Sequence, residues 1–331
     1  MTKQPIVRVV NLVGIGLALA AAVPTTARIL EPSLGTPITQ LAAFTPWAVP
    51  LWIVAGGLLL VGRRRRSGGV LLLIISLLVA LGVHWLVPSS AARDAARPKD
   101  APGVPLRVMT LNVLFGGADA GQTVALVRRH QIDVLVVEEM TADFVARLRA
   151  AGIDTLLPQA DLHPSDRAAG TGIWSRWALK PTGTLPTAGF QMPTVMLTVP
   201  GSGQTVSVTG VHTQPPQPAG LAGWRQDLAT LADRAAADQG PRIYAGDFNA
   251  SRDHADFRAI LDAGLVDAGD AGSAAQWPGF TWPSNRPGPA VTRIDHILLT
   301  PASIGVRKVS VVTVSGTDHR GVVADLVLLP G

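Results

Sequence analysis

Three long apolar stretches dominate the first 88 residues, at about 6–26, 41–62 and 70–87. Each approaches the ~20 residues that a helix needs to cross a ~30 Å hydrocarbon core. We therefore predict that residues 1–88 form a membrane anchor of three transmembrane helices. A multi-pass anchor of this kind makes the lipid bilayer the first expected partner of the chain.

Positive charge sets the expected orientation of this anchor. Four adjacent arginines, residues 63–66, separate the second and third stretches, and Lys3 and Arg8 lie at the start of the first. Basic loops stay on the cytoplasmic side, so three crossings would place everything after Pro88 outside the cytoplasm. The alternative for the first stretch is a cleaved signal peptide, but the two later stretches would still hold the chain in the cell membrane.

The net charge of +5 is unevenly distributed along the chain. Residues 1–104 carry ten Lys and Arg against three Asp and Glu, whereas residues 105–331 carry eighteen against twenty. The basic character therefore belongs to the anchor and does not indicate nucleic-acid binding by the remainder. The chain has no cysteine, which excludes disulfides, thiolate metal sites and a cysteine nucleophile.

The remainder begins after a segment, 89–104, that is rich in Ala, Pro and charge and is expected to be a linker. Short apolar strands then alternate with amphipathic helices. The strands are expected near 106–113, 133–137, 171–175, 194–199, 205–212, 242–245, 293–299, 306–314 and 322–328, and the helices near 120–130, 141–151 and 221–238. This pattern favours a single α+β sandwich domain over residues 105–331.

Polar residues recur where the predicted strands begin or end. The set is Asn112, Glu139, His212, Asp247, Asn249, Asp295, Asp318 and His319. Carboxylates beside apolar strands cost free energy unless they are paired or bind a metal, and strand ends at one edge of a sandwich can converge on one point. Oxygen ligands without cysteine favour Mg²⁺, Mn²⁺ or Ca²⁺ over zinc.

The order of these motifs resembles the endonuclease/exonuclease/phosphatase superfamily, which includes DNase I and exonuclease III. The motifs are TLNV at 110–113, VEEM at 137–140, SR at 175–176, VHT at 211–213, GDFN at 246–249, RIDH at 293–296 and TDHR at 317–320. Together they span nearly all of residues 105–329. The resemblance implies a four-layer α/β sandwich of the DNase I type, in which two packed mixed β-sheets are flanked by helices.

The resemblance also implies a metal site. Glu139 would be the principal ligand of Mg²⁺ or Mn²⁺, with Asn112 and Asp318 contributing oxygens. The family often has Gln where this chain has Glu138. Because successive strand residues point to opposite faces, only one of the two adjacent glutamates can face the site, and motif position favours Glu139.

The catalytic roles implied by the resemblance fall on five further residues. His319 and Asp295 would form a dyad that activates water or contacts the phosphate, and Asp247 would orient or deprotonate the attacking water. Asn249 would donate a hydrogen bond to a phosphate oxygen, and His212 would contact the phosphate or assist the leaving oxygen. The chemistry is in-line displacement at phosphorus.

Taken singly, each of these residues has a structural explanation. Asn112 and Asn249 could cap turns, Asp295 could pair with Arg293, and His212 could be a structural histidine. Together they predict a membrane-anchored, divalent-metal-dependent phosphoesterase. Its substrate, a nucleic acid, a phospholipid or a sugar phosphate, stays open, and no obligate protein partner is expected. The alternative is a non-catalytic binding module on the same scaffold.

Overall fold

The computed structural model describes residues 3–31, 34–62, 71, 74, 75, 77, 78, 82, 90–97, 101–271 and 279–330. The chain divides into two compact units. The first comprises residues 1–88 and 252–255, and the second comprises residues 89–251 and 256–331.

The first unit begins with three helices: α1 (Lys3–Leu30), α2 (Ile38–Ala42) and α3 (Thr45–Gly62). The helices α1 and α3 pack through small and aromatic side chains, including Ala21, Ala48 and Trp52. The segment Pro5–Leu30 has a mean hydropathy of 2.2, and only 11% of its most apolar window is buried. This exposed apolar surface is long enough to cross a bilayer.

Among the described residues, the structure supports one of the three predicted membrane-spanning helices. Among the described residues, only Pro5–Leu30 is long and apolar enough to cross a membrane, and the second apolar helix, Thr45–Leu60, is shorter. The second predicted stretch starts at residue 41, but Leu41 and Ala42 end the separate helix α2, and a turn precedes Thr45. The third stretch, 70–87, lies largely outside the described residues.

The second unit contains twelve strands among its described residues. They are β1 (Val104–Asn112), β2 (Val134–Glu138), β3 (Gln159–His163), β4 (Thr171–Ser175), β5 (Leu179–Thr184), β6 (Pro193–Thr198), β7 (Thr205–His212), β8 (Arg242–Asp247), β9 (Val266–Asp267), β10 (Asp295–Leu299), β11 (Ile304–Thr313) and β12 (Arg320–Leu328). The first sheet has the order β11-β12-β1-β2-β4-β3, and the second has the order β5-β6-β7-β8-β10-β9. Both are mixed, because β1 pairs in parallel with β2 and β7 with β8.

A continuous apolar core lies between the two sheets, with side chains such as Val108 and Val136 from one and Val208 and Ile297 from the other. Helices cover the outer faces. They are α5 (Ala120–Arg129), α6 (Ala142–Ala150) and α7 (Ile153–Leu156) on the first sheet, and α8 (Leu221–Ala237) and α9 (Ala255–Asp262) on the second. The second unit is therefore an α+β sandwich of two packed mixed sheets flanked by helices.

Part of the segment that was expected to be a linker is ordered against the sandwich. A short helix, α4 (Ser90–Ala95), buries Ala92 and Ala95, and the Arg97 amide donates to the Val306 carbonyl at 2.8 Å. Alanine has too little apolar surface to produce a recognisable periodicity, yet it fits closely against a sheet. The described part of this segment thus belongs to the fold.

Candidate active site

The second sheet brings three of the predicted residues to one edge. His212 and Asp247 lie opposite each other at the ends of the parallel strands β7 and β8, and Asp295 pairs with Asp247 at the start of the antiparallel strand β10. Each side chain is about 1% exposed. Two buried carboxylates and an imidazole are therefore aligned across three neighbouring strands. The free energy needed to bury these ionisable groups is concentrated at this edge of the sheet.

The first sheet contributes Asn112 and Glu139 to the same place. Asn112 ends β1, and Glu139 follows β2 with φ of +55°, a left-handed conformation that turns its side chain out of the strand pattern. The Asn112 amide nitrogen donates to Glu139 Oε1 and to Asp247 Oδ2, both at 3.1 Å. Asn112 thus joins the two sheets through two carboxylates.

The role of Asn112 as an oxygen ligand of a metal ion stays a prediction. Its Oδ1 accepts the amide of Leu114 at 3.0 Å, so the amide nitrogen, not the oxygen, faces the carboxylates. A buried amide that donates to both Glu139 and Asp247 holds them at a fixed separation and offsets part of their mutual repulsion.

His319 and Asp295 form a close pair across the sheets. The Nδ1 atom of His319 lies 3.0 Å from both carboxylate oxygens of Asp295, and its Nε2 lies 3.7 Å from Asp247 Oδ2. Burial alone lowers the pKa of His319, but the charges of Asp295 and Asp247 outweigh burial and raise the pKa to about 10. The imidazole is therefore cationic at neutral pH and cannot act as a general base there.

Asp247 has the opposite electrostatic character. Burial raises its pKa to about 7, although the positive charge of His319 opposes the increase. Its Oδ1 accepts the amide of Asn249 at 2.8 Å. A carboxylate with a pKa near neutrality combines sufficient basicity with a substantial deprotonated fraction, as a general base requires.

Ligand atoms of Asp247, Asp295 and His319 lie within 4.8 Å of one another, a spacing at which three such atoms can hold a metal ion. The His319 ring is engaged with Asp295 and is protonated at neutral pH. The cluster could bind a metal ion, and binding through His319 would require its ring to lose a proton.

His212 and Asn249 complete the edge. His212 Nε2 lies 3.9 Å from Asp247 Oδ2, its ring stacks 4.5 Å from the Phe190 ring centroid, and burial together with the His319 charge lowers its pKa to about 3. His212 is thus neutral. Asn249, at φ of +45°, donates from its side chain to the Thr213 carbonyl at 3.0 Å.

Glu139 and Asp318 have the donor atoms that fit a divalent cation. Glu139 Oε2 accepts the amide of Phe115 at 2.9 Å, and burial raises its pKa. Asp318 Oδ2 accepts the Trp282 indole nitrogen at 3.0 Å, whereas its Oδ1 is buried and has no hydrogen-bond partner among the described residues. Hard oxygen donors and an unpaired buried carboxylate oxygen suit Mg²⁺ or Mn²⁺.

The adjacent glutamate has a different environment. Glu138 is fully buried between the sheets, and its Oε1 accepts the Thr110 hydroxyl at 2.6 Å. Burial raises its pKa well above the ordinary value of 4.5, because removal from water disfavours the charged form. Arg293 forms ion pairs with Asp267 and Asp270, and Asp295 pairs with His319.

The site thus combines an Asn–Glu pair and an Asp–His dyad at the strand ends of two mixed sheets. A comparison of the sequence with models of protein families leads to the same type of site. The model of the endonuclease/exonuclease/phosphatase family matches residues 109–319. The chain belongs to this family. The family includes metal-dependent phosphoesterases, and a search of curated proteins finds no match.

Solved structures show the same fold. An endonuclease/exonuclease/phosphatase from Beutenbergia cavernae is 22% identical, with a TM-score of 0.51 over 68% of this chain and 72% of that chain. TDP2 from D. rerio in complex with a single-strand DNA product is 18% identical, with a TM-score of 0.54 over 67% and 98% of the two chains. A functionally unknown conserved protein from Enterococcus faecalis is 14% identical, with a TM-score of 0.55 over 68% of this chain and 100% of that chain.

Sequence reasoning missed several hydroxyl groups that hold the site. Thr317 donates to the Asn112 carbonyl at 2.7 Å and accepts the His319 amide at 3.1 Å, and Thr281 accepts the Asp295 amide at 3.3 Å. Threonines beside charged motifs are common in loops, so these contacts could not be recognised before the fold was known.

Proposed function

We propose that the chain is a membrane-anchored, divalent-metal-dependent phosphoesterase that hydrolyses a phosphate ester by in-line attack of water. The observation that carries this proposal is the bridge from Asn112 to both Glu139 and Asp247. It brings a cation ligand from one sheet and a general base from the other into one hydrogen-bonded unit, as a reaction at a metal-bound phosphate requires.

Glu139 and Asp318 would hold the cation. When bound, Mg²⁺ or Mn²⁺ neutralises phosphate charge and polarises the phosphorus–oxygen bonds. The environment of Glu139 supports this assignment, because burial raises its pKa and a cation would offset the cost of its negative charge.

Asp247 would orient the attacking water and accept its proton. Its pKa of about 7 leaves it able to do so near neutrality. His319, cationic and only 5% exposed, would stabilise the negative charge that accumulates on the phosphoryl oxygens. Asp295 would keep that imidazolium oriented through its 3.0 Å contacts.

His212 and Asn249 would act on the phosphate as hydrogen-bond donors. His212 is neutral and lies beside Asp247, so it can donate to an oxygen without adding charge. The backbone amide of Asn249 is already used by Asp247, which leaves its side chain as the group that can exchange its Thr213 partner for a phosphate oxygen.

The function is tested with the full chain in detergent and a generic phosphodiester, bis(p-nitrophenyl) phosphate, with Mg²⁺, Mn²⁺ or a chelator. We expect hydrolysis that needs the cation and is lost in Asp247→Ala. A panel of single-stranded DNA, phospholipid and sugar phosphate then identifies the substrate class. Cation-independent hydrolysis, or unchanged hydrolysis by Asp247→Ala, contradicts the mechanism, and cation binding without any hydrolysis supports a binding module.

We also propose that the apolar segments before residue 88 cross the membrane three times and leave the catalytic unit outside the cytoplasm. The apolar helix Pro5–Leu30 and the four arginines 63–66 support this topology. A phosphatase reporter fused after Gly331 should be active, since such reporters require export. If the phosphatase reporter is inactive and a cytoplasmic reporter at the same position is active, the catalytic unit lies on the cytoplasmic side and the proposed orientation is wrong.

A further inference from the structure

Residues 281–284 (TWPS) lie outside the named strands, yet they contact both segments that supply the dyad. Thr281 Oγ1 accepts the amides of Ile294 at 3.2 Å and Asp295 at 3.3 Å. The Thr281 carbonyl accepts the amide of Arg320 at 2.9 Å. This segment therefore ties the start of β10 to the start of β12, although these strands belong to different sheets.

The same segment holds Asp318 at two points. The Ser284 amide donates to the Asp318 carbonyl at 2.7 Å, which fixes the backbone. The Trp282 indole nitrogen donates to Asp318 Oδ2 at 3.0 Å, which fixes the carboxylate. Two contacts from one short segment, one to backbone and one to side chain, leave Asp318 little rotational freedom.

The hydrogen bond from the Trp282 indole makes the two carboxylate oxygens of Asp318 different. Oδ2 is occupied by the indole, whereas Oδ1 is buried and has no hydrogen-bond partner among the described residues. The Nε2 atom of His319 lies 3.9 Å from Oδ1, beyond hydrogen-bond distance. A buried carboxylate oxygen left unpaired costs free energy, and a cation would remove that cost.

We propose that Trp282 is a positioning residue that orients the Asp318 carboxylate so that Oδ1 binds the divalent cation; this inference rests on the proposed function. Its indole is half-buried at the site, unlike Trp174 and Trp224, which are fully buried in the outer apolar cores. The guanidinium of Arg286 lies 5.8 Å from the Trp282 ring centroid. The ring is thus fixed both by its donor and by a cation–π contact.

The inference is tested by Mn²⁺ titration calorimetry on the full chain in detergent. Trp282→Phe removes the indole donor and keeps an aromatic ring. Trp174→Phe is the matched control, because it makes the same change at an indole nitrogen that has no hydrogen-bond partner among the described residues. We expect Trp282→Phe to weaken Mn²⁺ binding by ~10–100-fold, as loss of an outer-shell contact to a metal ligand does, and Trp174→Phe to retain wild-type affinity.

A second measurement keeps the test informative if Trp282→Phe folds poorly. In the wild-type protein, the indole N–H resonance of Trp282, assigned through its nuclear Overhauser contacts, should shift on addition of Mg²⁺, because its acceptor carboxylate binds the ion. Wild-type affinity in Trp282→Phe, or an indole resonance unmoved by bound Mg²⁺, overturns the positioning role alone. A wild-type protein that binds neither cation overturns the proposed function as well.

Discussion

The Nδ1 atom of His319 lies 3.0 Å from both carboxylate oxygens of Asp295, although the two residues come from different sheets. Asp295 begins β10 in the second sheet, and His319 immediately precedes β12 in the first. The pair therefore connects the two sheets at the edge where the site lies. It also sets the protonation state of His319, because Asp295 makes the largest contribution that raises the pKa of this imidazole.

The first prediction concerns Asp295→Asn. The pKa of His319 is about 10 in the folded protein against an ordinary value of 6.5, so activity that depends on the imidazolium should fall as pH rises through about 10. Replacing Asp295 by Asn removes the largest charge that raises this pKa and should move the alkaline limb of the profile of kcat/KM to lower pH. An alkaline limb at the wild-type position contradicts a role for the His319 charge.

The same shift makes a prediction about stability. A group whose pKa is raised on folding stabilises the protein fully below its unfolded pKa, and that stabilisation is lost as pH rises through the folded pKa. For His319 the window is about 6.5 to 10. The loss of unfolding free energy over this window, measured by urea denaturation, should be smaller in Asp295→Asn than in the wild type.

The third prediction concerns Asp247→Asn. The change should lower kcat by ~10²–10⁴-fold, because a general base is removed. Burial raises the pKa of Asp247 to about 7, so the folded state is destabilised as pH rises from about 3.8 through 7, and a neutral amide removes that cost. The variant should therefore have the higher Tm at pH 8. Two results would contradict this assignment. One is wild-type activity in Asp247→Asn, and the other is a Tm at pH 8 that is not higher in Asp247→Asn than in the wild type.

The adjacent glutamates should respond differently to the same substitution. Glu138 is buried and its Oε1 accepts the Thr110 hydroxyl, so Glu138→Gln should leave cation affinity near the wild-type value. Because burial raises the pKa of Glu138, the folded wild type is destabilised as this carboxyl ionises, and the Tm of Glu138→Gln should gain on that of the wild type as pH rises. Glu139→Gln should weaken Mn²⁺ binding, and equal effects of both substitutions would contradict the assignment.

A fifth prediction concerns the loop beside Glu139. Phe115 has φ of +51° and is 56% exposed, the one large apolar side chain so exposed among the described residues of the second unit. Phe115→Gly should stabilise the protein by ~1 kcal/mol, the order of the left-handed penalty of a residue with a Cβ. Urea denaturation measures the change, with Phe115→Ala, which keeps the Cβ, as the control that should not gain stability.

Most of the sandwich could be predicted from the chain because its central strands are apolar throughout. The strands β2, β4 and β8 are buried along their whole length, and such runs between turn signals identify strands. The strands β3 and β5 were missed, because they lie at sheet edges with mostly exposed or partly exposed side chains. Edge strands without a buried face lack the alternation on which the prediction depends.

The sequence by itself determined the family motifs, their order and the position of the apolar segments, since these are properties of neighbouring residues. Only the tertiary structure decided which atom of Asn112 faces Glu139 and why the pKa values of Glu138 and His319 are raised. Those properties arise from burial and from charges contributed by strands far apart in the chain. Electrostatic interactions depend on distance and on exclusion of water, and neither quantity exists until the two sheets have packed.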